Sequence, residues 1–68
     1  MEVAVVEAMV ADAQAKVKPG YTVQIANRSR ESVQVEIREA DGFLCWRAWS
    51  CETDFEYDLT YNLGRYTN

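Results

Sequence analysis

The dipeptide Asp41-Gly42 lies between two segments in which apolar and polar residues alternate. Such a pair between alternating segments is the strongest short-range indication of a β-hairpin, and it favours a two-residue type I′ turn. We therefore expect antiparallel strands over about residues 32–40 and 43–50. Because the side chains of a strand alternate between its faces, the length of this loop decides which residues enter the core.

A two-residue loop sets the register of the hairpin from Ala40 opposite Phe43 onward. The further predicted pairs are Ile37 with Trp46, Val35 with Ala48, and Glu36 with Arg47. Directly opposed residues share a face of the sheet, so Trp46 joins the core together with Leu44. The residues expected to point away from the core are Phe43, Cys45, Arg47 and Trp49.

Two further strands are expected at about residues 21–26 and 55–62, where apolar and polar residues alternate again. A four-residue turn at 51–54 places Tyr57 and Leu59 on the core face. The same turn places Arg47 between Glu36 on one neighbouring strand and Asp58 on the other. The apolar face and the charge pairs therefore agree on one register.

Residues 2–18 are predicted to form an N-terminal helix that stops before Pro19-Gly20. Its apolar stripe consists of Val6, Met9, Val10, Ala13 and Val17. A short strand at Val3–Val6 followed by a shorter helix is the alternative interpretation. The predicted fold is a single α+β domain over residues 1–68, with the helix packed on one face of a four-stranded antiparallel meander in the order 1-2-3-4.

The chain offers little for catalysis or metal binding. It has no histidine, and its two cysteines, Cys45 and Cys51, lie about 20 Å apart if the strand between them is extended. A disulfide requires Cα atoms within about 7 Å, and the spacing is not that of a zinc motif. We therefore expect two reduced thiols, no metal and no cofactor. Without a histidine base or a nucleophile motif, we expect no enzymatic activity.

The charge of the chain bears on its partners. Eleven acidic residues against seven basic ones give a net charge of −4. This charge disfavours phosphate backbones and favours a protein partner with a basic surface, although it could also serve solubility alone. No segment is long and apolar enough to cross a membrane, and Met1–Val10 lacks the basic start of a signal peptide. We expect a cytoplasmic protein without membrane contacts.

The predicted binding site is the sheet face that the helix leaves uncovered. Aromatic residues and arginine are enriched at protein interfaces, which makes exposed aromatics on this face candidate anchors. The predicted partner-binding residues are Trp49, Phe43, Arg47, Glu36, Glu56 and Asp58. The alternative is that Trp49 lies flat on the sheet or packs beside Tyr66 in the C-terminal tail.

These features favour a small acidic protein-binding module, either an inhibitor or an adaptor, present as a monomer or a homodimer. One alternative is a homo-oligomeric scaffold or an antitoxin-like regulatory subunit. Another is a single-stranded nucleic-acid binder that stacks bases on Phe43 and Trp49. The carboxylates expected on the same face, Glu36, Glu56 and Asp58, disfavour this last alternative.

A chain that is this small, acidic and free of catalytic motifs, with a plain α+β architecture, resembles the small phage-encoded inhibitors of bacterial defence, including anti-CRISPR proteins. The resemblance rests on size, charge and architecture over the whole chain. It implies a subunit of a nucleic-acid-handling effector complex as the partner, in the cytoplasm of the host cell. It also implies blocked DNA recognition as the outcome, with carboxylates in place of phosphates.

Overall fold

The computed structural model describes all 68 residues and contains two helices and three strands. In chain order these are α1 (Val3–Gln14), β1 (Tyr21–Arg28), β2 (Val33–Glu39), β3 (Leu44–Trp49) and α2 (Phe55–Tyr66). The strands form one antiparallel sheet in the order β1-β2-β3. Both helices contribute to a single apolar cluster with residues from one face of the sheet, so the other face carries no helix.

The prediction of a fourth strand at 55–62 is wrong, because this segment belongs to α2. Phe55, Leu59 and Leu63 recur every four residues and are all buried on one side of the helix. The acidic residues of the first turn and Arg65 in the last turn match the helix dipole, which further favours a helix here. Residues 55–62 fit both the apolar–polar alternation of a strand and the four-residue spacing of a helix. The residues that are buried follow the helical spacing.

The first helix was predicted at the correct end of the chain but over too long a segment. It runs from Val3 to Gln14, which also rules out the alternative strand at Val3–Val6. Beyond it, Val17 forms an isolated β-bridge with Thr67, and the backbone N–H of Lys18 donates to the carbonyl of Tyr66 at 2.8 Å. The segment after α1 therefore pairs with the C-terminal residues instead of continuing the helix.

The Asp41-Gly42 hairpin forms, but with a three-residue loop. The N–H of Glu39 bonds to the carbonyl of Phe43 at 2.8 Å, and Gly42 has a φ of 97°, the left-handed conformation expected in such loops. Ala40 therefore does not pair with Phe43. A bulge at Cys45 then restores the predicted register, so the observed pairs include Ile37–Trp46, Glu36–Arg47 and Val35–Ala48.

The longer loop changes the faces of three residues near it, Phe43, Leu44 and Cys45. Leu44 lies opposite Arg38 and therefore points away from the helices, not into the core as predicted. Cys45 packs against the core cluster, although it was predicted to point outward. The core consists of Val6, Val10, Ala13, Val23, Val33, Val35, Ile37, Ala48, Phe55, Leu59 and Leu63.

Candidate binding surfaces

The helix-free face of the sheet, called here the open sheet face, is mainly polar. Its residues are Thr22, Gln24 and Asn27 of β1, Gln34, Glu36 and Arg38 of β2, and Leu44, Arg47 and Trp49 of β3. The exposed Asn27 donates to the side-chain oxygen of the buried Gln34 at 2.6 Å, and no buried side-chain polar atom lacks a hydrogen-bond partner. An antiparallel sheet with one polar, solvated face is a stable arrangement.

Glu36 lies at the centre of this face, and only 5% of its surface is exposed. Arg38 donates to both carboxylate oxygens, from Nε at 3.2 Å and from Nη2 at 3.1 Å. Arg47 on the neighbouring strand donates at 3.4 Å, and Gln24 donates at 3.5 Å. Two cations therefore surround one anion, and this group of residues carries a net positive charge.

These contacts also shift the titration of the groups involved. The hydrogen bonds from Arg38 hold the pKa of the Glu36 carboxyl below its usual value of 4.5, against the opposing effect of burial. The same hydrogen bonds raise the pKa of Arg38. Glu36 therefore remains ionised at neutral pH, and its charge is compensated within the sheet instead of being presented to a partner.

The aromatic residues predicted on this face differ in exposure. Phe43 is 64% exposed at the edge of the hairpin loop. Trp49 lies on the open sheet face opposite Gln34, but it is half-buried. Arg47 is exposed on the open sheet face. The structure thus brings Trp49, Arg47 and Glu36 onto one surface. Phe43 is not part of it: Phe43 pairs with Glu39, so it lies on the helix side of the sheet and not on the open sheet face as predicted.

Glu56 and Asp58 lie elsewhere, in the first turn of α2. Because this segment is a helix and not a strand beside β3, the predicted pairing of Arg47 with Asp58 does not form, and Arg47 bonds only to Glu36 among acidic side chains. The six predicted binding residues therefore do not share one surface. Of the three carboxylates that were expected to repel phosphates from the open sheet face, only Glu36 is on it.

The outer side of α2 carries a pair of tyrosines that the sequence analysis did not select. Tyr57 and Tyr61 are 72% and 57% exposed and lie one helical turn apart on the side opposite the buried residues. Tyr57 was predicted to be in the core, because the segment was interpreted as a strand. The four-residue spacing of Phe55, Leu59 and Leu63 was the signal that could have placed it correctly.

The negative charge of the protein is concentrated beside these tyrosines. The segment from Glu52 to Asp58 holds four acidic residues and no basic one, and the other seven acidic residues are balanced by the seven basic residues. None of the four forms a salt bridge. We call Asp54, Glu56, Tyr57, Asp58 and Tyr61 the acidic α2 surface. The whole net charge of −4 therefore resides in and next to this surface.

The remaining chemistry-bearing groups do not form a cluster. Cys45 is half-buried and Cys51 is exposed, and both are free thiols. No group of three or more histidine, cysteine or acidic side chains is arranged to hold a metal ion. Neither helix has the length and apolar character needed to cross a bilayer.

Comparison with known proteins found no matching family model, no similar curated protein and no similar solved structure.

Proposed function

We propose that the protein is a protein-binding module that engages a basic surface of its partner through the acidic α2 surface. One observation carries this proposal: the entire net charge of −4 lies within seven residues at the start of α2, next to two exposed tyrosines. A charge distributed for solubility alone would be spread over the molecule. Here the rest of the chain is electrically balanced.

The side chains of this surface suit a partner rich in lysine and arginine. Tyrosine provides a large apolar ring with a polar tip, and it is enriched at protein interfaces. The face of the ring attracts cations, and carboxylates nearby can accept hydrogen bonds from the same cationic groups. The concentrated charge would also steer a basic partner toward α2 and speed association at low salt.

A nucleic-acid-handling complex is the partner class that fits this chemistry. Such proteins present grooves of lysine and arginine that bind phosphates. The carboxylates of the acidic α2 surface would occupy a groove of this kind in place of the phosphates and so block nucleic-acid recognition. The protein would then act as an inhibitor, as its resemblance to phage-encoded inhibitors of bacterial defence implies.

The test is affinity capture from the source cell, followed by identification of the captured proteins and competition with DNA. We expect a captured nucleic-acid-binding protein that is released by salt and by added DNA. The Tyr57→Ser, Tyr61→Ser double variant should lose this protein, whereas Phe43→Ser, which removes an exposed aromatic at the β2–β3 hairpin, should retain it. Equal capture by both variants, or capture indifferent to salt, would contradict the proposal.

A second candidate function is single-stranded nucleic-acid binding on the open sheet face. The observation that favours it is the location of Glu56 and Asp58 on α2, since the face then holds Arg38 and Arg47 against the single carboxylate of Glu36. Trp49 could stack on a base. The overall charge of −4 opposes this function.

Titration with labelled single-stranded oligonucleotides at low salt tests this second function. Binding through the sheet should weaken on Arg47→Gln, and it should not change on Tyr61→Ser. No detectable binding at low salt would remove this candidate.

A further inference from the structure

The two edge strands differ in how their outward-facing backbone groups are satisfied. On β3, the N–H of Ser50 bonds to the carbonyl of Val33 at 2.8 Å, so alternation turns the backbone groups of Trp49 toward the free edge. Glu52 satisfies both of them: its carboxylate accepts from the N–H of Trp49 at 2.7 Å, and its own N–H donates to the Trp49 carbonyl at 3.0 Å. The Trp49 end of this edge is therefore closed, and it is next to the acidic segment.

The edge of β1 is more open. The N–H of Ala40 bonds to the carbonyl of Gly20, so alternation turns the backbone groups of Tyr21, Val23 and Ile25 outward. The N–H of Tyr21 donates to the carbonyl of Lys18. The N–H groups of Val23 and Ile25 are left without a partner in the ladder.

A side chain from α1 occupies one backbone acceptor of this edge, the carbonyl of Val23. Nε2 of Gln14 donates to the carbonyl of Val23 at 2.9 Å. Beside it, α1 and β1 enclose an open groove of about 320 Å³, which includes Val10, Ala11 and Ile25. At the end of the groove Arg28 and Glu7 pair at 2.6 Å, so the groove carries no net charge. An additional strand would find both space and unsatisfied donors here.

We propose that β1 pairs with β1 of a second copy of this chain in antiparallel orientation, which joins the two sheets into one of six strands. Val23 and Ile25, whose backbone groups face the free edge, lie symmetrically about Gln24. A two-fold axis at Gln24 therefore sets Val23 of each copy opposite Ile25 of the other. Each of these pairs exchanges N–H···O=C hydrogen bonds in both directions. The incoming N–H of Ile25 replaces Gln14 at the carbonyl of Val23.

The charge distribution favours a second copy at this edge. All the net charge lies at the start of α2. This helix packs near β3, which is the edge strand opposite β1. The two acidic α2 surfaces therefore lie at the far ends of the dimer, where their mutual repulsion is screened. The bulge after Ile25 limits the pairing to a short stretch, which makes the dimer reversible and dependent on concentration.

The test is the molar mass measured by sedimentation or light scattering over a dilution series. The wild type should pass from dimer to monomer on dilution. Gln14→Ala removes the hydrogen bond that competes for the Val23 carbonyl, so the dimer dissociation constant should fall about two- to fivefold. Gln24→Lys places two like charges directly opposite each other across the axis, so the constant should rise about fivefold.

Thr22→Lys is the matched control. It adds the same charge to the same face of β1, but the two lysines of the dimer would lie roughly 13 Å apart along the strands, beyond a Debye length at physiological salt. Its mass curve should follow that of the wild type. A constant monomeric mass for both wild type and Gln14→Ala, or a dimer that Gln24→Lys and Thr22→Lys affect equally, would overturn the proposal. None of these variants alters the acidic α2 surface, so the result is independent of partner capture.

Discussion

Glu36 shows how the sheet accommodates an almost fully covered carboxylate on a face that no helix protects. The covering groups are Arg38, Arg47 and Gln24, which reach over it from all three strands and donate hydrogen bonds to it. A buried charge without such partners would be strongly destabilising. The arginines are themselves partly exposed, so solvent screens the ion pairs and their net contribution is modest.

Glu36→Gln should lower the free energy of unfolding at neutral pH by about 1 kcal/mol, since it removes the charge and keeps the shape. The folded-state pKa of Glu36 lies below 4.5, so its ionised form stabilises the fold above that pH. This contribution disappears as the pH falls through 4.5 toward the folded-state pKa. Urea unfolding at several pH values should therefore show the gap between wild type and variant closing in acid.

The control is Glu31→Gln, because Glu31 is exposed and forms no salt bridge. Its unfolding free energy should stay within about 0.5 kcal/mol of the wild type. A gap for Glu36→Gln that persists unchanged in acid would mean that packing, and not charge, holds the side chain in place.

At the level of elements, what the sequence could predict depended on whether a local pattern had one interpretation or two. The alternation of β2 has a single interpretation, and Val33, Val35 and Ile37 are buried as expected. The predicted loop length at Asp41-Gly42 was wrong by one residue. The bulge at Cys45 compensates for the difference, and no local sequence pattern predicts such a bulge. Residues 55–62 satisfied both strand and helix patterns.

The same ambiguity determined which predicted binding residues were assigned to the correct surface. Trp49 and Arg47 were placed correctly on the open sheet face, because their positions depend only on pairing with β2. The positions of Glu56 and Asp58 depended on the state of the ambiguous segment, so they were assigned to the wrong surface. Tyr61 was missed for the same reason, since its exposure follows only from the helical period.

A pair of substitutions distinguishes the helix from the strand in solution. Leu59 is fully buried and Tyr57 is 72% exposed, although a strand would bury both on the same face. Leu59→Ala should lower the free energy of unfolding by about 3 kcal/mol, because it leaves a cavity in the core. Tyr57→Ala should change it by less than about 0.5 kcal/mol in urea titrations. Comparable losses for the two variants would indicate the strand.

For the whole molecule, a short backbone pairing joins the C-terminal residues to the segment between α1 and β1. Asn68 donates to the carbonyl of Lys16 at 2.9 Å, Lys18 donates to Tyr66, and the ring centroids of Tyr66 and Tyr21 are 4.8 Å apart. A domain of this size buries only about 60% of its unfolded surface, so each such contact is a substantial part of its stability. The pairing ties the C-terminal end of α2 to the segment between α1 and β1 and thereby holds both helices on one face.

Deletion of Tyr66–Asn68 should therefore destabilise the entire domain and not merely shorten a tail. The loss of a half-buried aromatic and of the joining hydrogen bonds should cost roughly 2–4 kcal/mol. In a domain this small that lowers Tm by roughly 10 °C or more, which thermal unfolding followed by circular dichroism would show. Deletion of Asn68 alone removes one hydrogen bond and should lower Tm by only about 5 °C. If removal of all three residues left Tm unchanged, the helices would have to be held by the apolar core alone.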